Sequence, residues 1–322
     1  MGLARTSPLE FSLDAVPPFR LDLAVWTLRR RPENIVDRWY GQTYRRVLVG
    51  EDGSPYEVAV SQSGSPDIPH LQVLIEGKSE DLPVEQEVAS SLERLLGIRV
   101  DLKDFYGLAR RDGVLMPLAE RFRGFKPPRF QSSFEALVNA IACQQLTLTV
   151  GIRLLNRLAE AYGPALRTGE GVFHAFPRPS DLAEADPENM RALGFSYQKS
   201  LYIIGLAQSI VGGQFSLDEI EVLDDEHALE RLRSLKGVGR WTAEYVLLRG
   251  LGRTHIFPAD DVGARNNLGR WLGLPGPLNY EAVQAALSPW RGYGGLIYFH
   301  LLLKSLGEKE LIATERRHHA AN

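Results

Sequence analysis

The sequence lacks several features that would assign it to a class of protein directly. It has a single cysteine, Cys143, so an intrachain disulfide and a cysteine-rich metal site are both excluded. Its net charge of −3 provides no overall attraction to nucleic acid. A DNA-binding surface would therefore have to be local, or use backbone N–H groups. No apolar run approaches the roughly 20 residues that span a bilayer, so we expect a cytoplasmic, nucleoid-associated protein without membrane contacts.

What the sequence does contain divides it into two parts. Residues 1–81 are rich in short apolar runs with partial alternation, separated by Gly, Pro, Ser and Asp. Such runs are typical of strands joined by tight turns. One stretch, 19–31, has helical spacing instead and stops at Pro32. We therefore predict a small antiparallel sheet domain with one helix, its strands at 11–16, 43–49, 56–62 and 70–76.

From residue 82 the apolar spacing becomes helical almost throughout. The chain therefore predicts an α+β protein in which an all-helical domain, 82–314, follows the sheet and precedes a flexible tail at 315–322. The predicted helices are 83–96, 101–109, 114–122, 133–147, 149–162, 187–193, 196–211, 225–233, 240–250, 260–271, 279–286 and 291–306.

The most informative stretch lies within this second domain. Gly237 and Gly239 separate two apolar helical patterns, which predicts a helix-hairpin-helix at 232–250. The free N–H groups where the second helix begins can bind an anion, and a nucleic-acid phosphate is the natural target. A loop at 255–262 follows, in which Phe257-Pro258-Ala259 interrupts the helical pattern just before Asp260 and Asp261.

These segments resemble the helix-hairpin-helix superfamily of DNA glycosylases, and within it the 3-methyladenine DNA glycosylase II (AlkA-type) branch. The residues that carry the resemblance are LKGVGRWTAEY and FPADD around the hairpin, FEALVNAIACQQLTLTVGIRL at 134–154, LGFSYQKSLYIIGLA at 193–207 and PWRGYGGLIYFH at 289–300. The resemblance implies an enzyme of base excision repair that flips alkylated purines, of the 3-methyladenine and 7-methylguanine type, out of duplex DNA and hydrolyses their glycosidic bond.

Asp261 is the predicted catalytic residue. A carboxylate in the first turn of a helix is favoured in its charged form, although an isolated Asp-Asp would more often be a helix cap and its neighbour. A purine alkylated at N3 or N7 already carries positive charge and leaves as a neutral base, so no strong general acid is needed. Asp261 would stabilise the developing sugar cation; whether it also deprotonates the attacking water stays open at this stage.

The base pocket is predicted to be aromatic. Trp241 and Tyr245 are four residues apart and share one helix face, where they would either pack in the core or stack on a flipped base. The resemblance favours the pocket, with Phe299 as a weaker third member. Where bifunctional members of the superfamily have a nucleophilic lysine, this chain has Trp241, which predicts a glycosylase without lyase activity.

The resemblance also implies how the protein holds duplex DNA. The backbone N–H groups of Gly237 and Gly239, assisted by the Thr242 hydroxyl, would bind phosphate. Leu146 would wedge into the space left by the base and Gln145 would contact the opposite strand. The alternative is that the two glutamines at 144–145 are only the polar end of the predicted helix 133–147 and face solvent.

No cofactor is expected, apart from a structural Na⁺ or K⁺ that the hairpin carbonyls of Arg233, Leu235 and Val238 would bind, as related hairpins do. The predicted partner is double-stranded DNA containing alkylated bases, bound by a monomer. Two rival functions remain: a glycosylase of the same fold for a deaminated or oxidised base, and a helix-hairpin-helix protein that binds DNA without catalysis.

Overall fold

The computed structural model describes residues 9–77 and 84–312. The strands of the first of these ranges form a five-stranded antiparallel sheet. The strands lie in the order β1-β5-β4-β3-β2. Side chains alternate along them as a half-buried sheet requires: in β5, Leu71, Val73 and Ile75 point into the core. The strands are β1 (Leu9–Asp14), β2 (Arg38–Tyr40), β3 (Thr43–Val49), β4 (Pro55–Ser63) and β5 (His70–Glu76).

Helices make up most of the rest of the chain. Helix α1 (Leu21–Arg29) lies between the first two strands, and Arg30 ends it in the left-handed conformation with φ of 61°. The helices that follow the sheet are α2 (Val84–Leu96), α3 (Lys103–Ala109), α4 (Leu115–Arg121), α5 (Ser133–Cys143), α6 (Leu148–Tyr162), α7 (Pro179–Leu182), α8 (Pro187–Ala192), α9 (Tyr197–Val211), α10 (Asp218–Glu221), α11 (Asp225–Arg233), α12 (Arg240–Arg249), α13 (Val262–Leu272), α14 (Tyr280–Leu287) and α15 (Gly294–Glu308).

The predicted α+β class is confirmed. Two helices of four residues each, α7 and α10, were not predicted, and there are three further local differences. Strand β2 was not predicted because it has only three residues. The second domain, predicted to be entirely helical, contains a hairpin of β6 (Ala165–Thr168) and β7 (Gly171–His174). It forms because Gly163 and Pro164 end helix α6, and Gly171, with φ of 142°, closes the turn between the two strands.

The third difference concerns the helix predicted at 133–147, which ends four residues earlier, at Cys143. Gln144 adopts an extended ψ of 131° and Gln145 a left-handed φ of 57°, so neither continues the helix. The Lys199 ammonium donates to the carbonyls of Ala142 and Gln144, at 2.9 and 2.7 Å, and satisfies two groups at this end.

The sheet and the helices share one hydrophobic core. Buried residues of β4 and β5, such as Val58 and Val73, belong to the same apolar cluster as Leu137 of α5 and Val246 of α12. A second cluster packs α3 and α4 against α15. The sheet is therefore held on the helices by apolar packing. No helix in the described ranges is long and apolar enough to cross a membrane, and the predicted tail at 315–322 lies outside them.

Candidate active site

The hairpin between α11 and α12 is set by its first glycine. Gly237 has φ of +83°, and a Cβ at this position would lie 2.2 Å from Cδ2 of Tyr202. Gly239 caps α12 in an extended conformation, with open space where its Cβ would be. Gly237 is thus required by sterics and backbone conformation, whereas Gly239 leaves room for a ligand beside the first N–H groups of α12.

Gln144 fastens this hairpin to the end of α5. Its amide Nε2 donates to the Gly237 carbonyl and to the Thr242 hydroxyl, both at 2.9 Å. Thr242 is consequently only 1% exposed. The Thr242 side chain points into the protein, where its hydroxyl accepts the hydrogen bond from Gln144. This position contradicts the prediction that the hydroxyl assists phosphate binding.

Asp261 lies at the start of α13 and uses its two carboxylate oxygens differently. Oδ1 accepts the N–H of Ala264 at 2.9 Å and so caps the helix. Oδ2 faces two aromatic side chains: it accepts the Tyr298 hydroxyl at 3.2 Å and the Trp241 indole N–H in a longer contact of 3.4 Å. Asp261 is therefore both a helix cap, through Oδ1, and a neighbour of the two aromatic side chains, through Oδ2.

Tyr298 is a site residue that the sequence analysis passed over. Burial, followed by the charge of Asp261, raises the pKa of the Tyr298 hydroxyl well above its usual range. The hydroxyl therefore keeps its proton and donates a hydrogen bond to the carboxylate. Its neighbour Phe299, predicted as a third pocket aromatic, is fully buried and packs against Phe125. That prediction is wrong, because α15 turns Tyr298 rather than Phe299 towards the site.

The loop that carries Asp261 is anchored at two points to α12. The buried Glu244 carboxylate accepts the N–H of Ala259 at 3.2 Å and the hydroxyl of Tyr280 at 2.8 Å. Burial raises the pKa of Glu244. One turn earlier, Arg240 pairs with Asp260 at 2.7 Å. Asp260 is thus engaged by Arg240, and Asp261 is the residue whose second oxygen remains turned towards the aromatic rings.

Trp241 and Tyr245 form the stacked pair that their spacing predicts. Their ring centroids are 5.4 Å apart with an interplanar angle of 37°. Trp241 is half-buried, whereas Tyr245 is 4% exposed and lies beneath it. The Tyr245 hydroxyl accepts a hydrogen bond from Arg30 at 2.9 Å. Because Arg30 closes α1, the first domain contributes directly to the floor of this site.

The loop between α5 and α6 presents the two residues predicted to enter DNA. Leu146 is 42% exposed, and Gln145 beside it is also exposed. Both lie in the loop that Gln144 and Lys199 hold against the hairpin. An apolar side chain projecting from a fixed loop is the form that an unstacking wedge takes.

Metal ligands are not suggested by the side chains. Within residues 9–77 and 84–312, no group of three His, Cys, Asp or Glu residues could hold a metal ion. The hairpin offers backbone carbonyls instead. Arg233 is the last residue of α11, and Leu235 and Val238 lie in the turn that follows, in which the Leu235 carbonyl accepts the Val238 N–H at 3.2 Å. Neutral carbonyl oxygens of this kind suit a weakly held monovalent cation.

Known proteins are similar to this chain in sequence and in fold. The family model described as "HhH-GPD superfamily base excision DNA repair protein" matches residues 138–292. The chain belongs to the HhH-GPD superfamily. The 3-methyladenine DNA glycosylase of Archaeoglobus fulgidus superposes with a TM-score of 0.79 at 26% identity, over 94% of this chain and all of that one.

Two further comparisons agree. DNA-3-methyladenine glycosylase 1 of Schizosaccharomyces pombe is 30% identical over 187 residues, which span 58% of this chain and 75% of that protein. A solved 3-methyladenine DNA glycosylase of the same organism, in complex with abasic DNA, gives a TM-score of 0.53 at 28% identity, over 62% and 94% of the two chains. The resemblance to DNA glycosylases of base excision repair is confirmed. The matched segment contains the hairpin and Asp261, whereas Arg30 and Tyr298 lie outside it.

Proposed function

We propose that this protein is a monofunctional DNA glycosylase that flips alkylated purines, of the 3-methyladenine and 7-methylguanine type, out of duplex DNA and excises them hydrolytically. The observation that carries the proposal is the Asp261 carboxylate, which caps α13 with one oxygen and turns the other towards Trp241 and Tyr298. The names of the relatives support the substrate class.

The chemistry follows from that geometry. As the C1′–N bond of an alkylated purine breaks, the electron pair leaves with the base, which departs neutral, and positive charge develops on the sugar. Oδ2 of Asp261 supplies a fixed negative charge for that cation, and the Tyr298 hydroxyl and Ala264 N–H hold the carboxylate in place. Water then adds to C1′ and releases a proton to the solvent. Trp241 and Tyr245 offer π-faces to a cationic base.

The absence of lyase chemistry is inferred from the residue at the first turn of α12. Trp241 occupies the position beside Asp261, and an indole cannot form a Schiff base. The nearest lysine in the sequence, Lys236, is exposed in the hairpin turn. The expected product is therefore an uncut abasic site.

For DNA binding, we assign the phosphate contact to the N–H groups of Gly237, Gly239 and the first turn of α12. Leu146 serves as the wedge and Gln145 contacts the opposite strand. A Na⁺ or K⁺ on the carbonyls of Arg233, Leu235 and Val238 would add positive charge beside the phosphate. The whole assembly comes from one chain, which is why we expect a monomer. Exchange of K⁺ for the bulky tetramethylammonium ion should then weaken DNA binding at constant ionic strength.

The decisive experiment incubates the purified protein with methylated duplex DNA and identifies the released bases by chromatography. Release of 3-methyladenine and 7-methylguanine without strand cleavage is expected. Asp261→Asn should reduce single-turnover release by roughly 100-fold or more, because the charge facing the sugar is lost. DNA affinity should remain, since the phosphate contacts lie on the hairpin.

Asp260→Asn is the matched control: the half-buried Asp260 carboxylate pairs with Arg240 and is not turned towards Trp241 and Tyr298, so this variant loosens one anchor of the loop and should change release only a few-fold. A parallel loss of binding and release in Asp261→Asn, or strand cleavage by the unmodified protein, would contradict the proposal. Release from uracil-containing or oxidised duplexes alone would favour the rival glycosylase specificity.

A further inference from the structure

Two buried arginines lie behind the aromatic floor of the proposed base pocket. Arg30, which closes α1, is 3% exposed, and Arg249, the last residue of α12, is 1% exposed. A guanidinium stays charged at any physiological pH. The proposed mechanism uses neither residue, yet burial of two positive charges is costly unless they are paired or serve a purpose.

Neither arginine is neutralised by a direct partner. Arg30 donates to the Tyr245 hydroxyl at 2.9 Å and to the side-chain oxygen of Asn139 at 2.6 Å, while Arg249 donates to the Thr27 carbonyl at 2.8 Å. All three acceptors are uncharged. Among the residues that the structure describes, neither guanidinium forms an ion pair, and the buried Nε of each has no hydrogen-bond partner.

The buried carboxylates nearby are already engaged elsewhere. Asp37 is close enough to attract both arginines, but its carboxylate accepts hydrogen bonds from Arg46 at 2.7 Å and from Tyr44 at 2.8 Å. Glu135 also pairs with Arg46, at 2.6 Å. The two acids outnumber Arg46 by one negative charge, which offsets part of the charge of Arg30 and Arg249 and leaves the rest behind the pocket.

Their position relative to the pocket is defined by the aromatic stack. The Arg249 guanidinium lies 5.5 Å from the ring centroid of Tyr245, and the ring of Trp241 packs on Tyr245 at 5.4 Å. Asp261 contacts the indole edge of Trp241. The stack therefore has a negative carboxylate at one edge and two positive guanidinium groups around its buried end.

We propose that Arg30 and Arg249 are specificity-determining residues, whose charge behind Tyr245 opposes a base that enters already positive and favours a base that departs with negative charge. This rests on the proposed function, in which Trp241 and Tyr245 receive the excised base. Charges about 10 Å apart through protein interior are only weakly screened. The arginines thus counteract part of the attraction that Asp261 and the aromatic faces exert on a cationic purine.

The charge on the base before and after the C1′–N bond breaks explains which lesions the arginines disfavour. When the C1′–N bond breaks, its electron pair goes to the base and water supplies the new oxygen on C1′. A cationic purine becomes neutral, whereas a neutral damaged purine becomes an anion that later takes a proton from water. Positive charge behind the pocket assists this shift of electrons equally for both bases, but it opposes entry of the cationic base into the pocket and not entry of the neutral one. Arg30 and Arg249 therefore reduce the preference of the enzyme for cationic lesions over neutral ones.

The test measures single-turnover release from two duplexes of identical sequence, one with 7-methylguanine, which is cationic, and one with hypoxanthine, which is neutral. Arg30→Gln should raise the ratio of the 7-methylguanine rate to the hypoxanthine rate by roughly five- to tenfold. Arg30→Lys keeps the charge and should leave the ratio within about twofold of the original.

Arg29→Gln is the matched control. Arg29 is also a buried arginine at the end of α1, but it donates to the carbonyls of Arg31 and Pro32, away from the pocket. Its replacement should not change the ratio. If Arg30→Gln does not fold, Arg249→Gln and Arg249→Lys provide the same comparison.

The outcomes separate this inference from the proposed function. Equal slowing on both duplexes in Arg30→Gln would assign Arg30 a purely structural role and overturn the inference, while leaving the glycosylase activity in place. Failure of the unmodified protein to release either base would instead overturn the proposed function. If hypoxanthine release is too slow to follow, a faster 7-methylguanine reaction in Arg30→Gln than in Arg30→Lys supports the inference, and an equal or slower one contradicts it.

Discussion

The two sides of the candidate active site are assembled over very different distances along the chain. On one side, Trp241 and Asp261 are 20 residues apart and belong to the hairpin and the loop that follows it. On the other, Tyr298 reaches Asp261 from 37 residues downstream, and Arg30 reaches Tyr245 from 215 residues upstream. We call the side with Trp241 and Asp261 the local side, and the side with Tyr298 and Arg30 the remote side.

The contacts that build the two sides also differ in kind. The local side depends on backbone conformation: the turn at Gly237, the cap by Asp261 and the anchoring of Ala259 by Glu244. The remote side depends on side-chain hydrogen bonds between elements that only tertiary packing brings together. In the proposed function, the local side provides the reaction and the DNA contact; in the further proposal, the remote side orients the carboxylate and influences the choice of base.

The largest expected effect comes from breaking the local side at its turn. Gly237→Ala places a Cβ against the Tyr202 ring at a φ of +83°, so we expect a loss of about 2–4 kcal/mol in the free energy of unfolding. DNA affinity should fall together with it. Urea unfolding and fluorescence anisotropy with a labelled duplex measure the two effects.

Gly239→Ala serves as the control for that change, because a Cβ there meets open space and φ is −91°. It should cost about 1 kcal/mol in the free protein, as for other caps. The variant Gly237→Ala with Tyr202→Ala sharpens the test: relief of the clash should recover part of the loss and leave the backbone strain. Equal stability of the two single variants would show that the turn does not depend on Gly237.

A smaller effect is expected at the anchor of the catalytic loop. Glu244→Ala leaves the Ala259 N–H and the Tyr280 hydroxyl without their acceptor, which should cost about 1–3 kcal/mol and slow base release by displacing Asp261. Glu244→Gln keeps an oxygen for Ala259, and burial already raises the pKa of this carboxyl, so the amide is a close substitute. The original protein and Glu244→Gln should both release the base faster and be more stable in urea than Glu244→Ala. The opposite order would show that Glu244 does not anchor the loop.

The smallest effect tests the remote side alone. Tyr298→Phe removes one hydrogen bond to Oδ2 of Asp261 without changing the packing of the ring, so base release should slow by roughly three- to tenfold at unchanged DNA affinity. Tyr293→Phe, whose ring packs on Phe105, is the control and should react normally. If both variants react at the original rate, the remote side has no part in orienting the carboxylate.

Much of this arrangement could be predicted from local patterns. The ends of most helices fall within two residues of the predicted ones, since apolar spacing, Pro and Gly mark them. Asp261 and the Trp241–Tyr245 pair were predictable because hairpin, spacing and loop are all short-range features. Their catalytic and base-binding roles stay predictions, as do the DNA contacts of Leu146 and Gln145.

Three residues show where such patterns stop being informative. Thr242 was predicted to assist phosphate binding from the first turn of α12, but it is buried, and Gln144 from the loop after α5 donates a hydrogen bond to its hydroxyl. Phe299 and Tyr298 are adjacent on an apolar helix, and the sequence does not tell which of them faces Asp261. Arg30 lies in a run of three arginines that reads as a charged helix end, yet it is buried beneath the pocket.

The sequence by itself therefore determined the order of the elements, the hairpin, and the segment that carries the carboxylate, because each of these depends on neighbours within a few turns of chain. Only the tertiary structure decided which oxygen of Asp261 faces the aromatic rings, which tyrosine holds it, and how the first domain places Arg30 under Tyr245. Those choices depend on burial and hydrogen-bond geometry between distant segments, which no local pattern encodes.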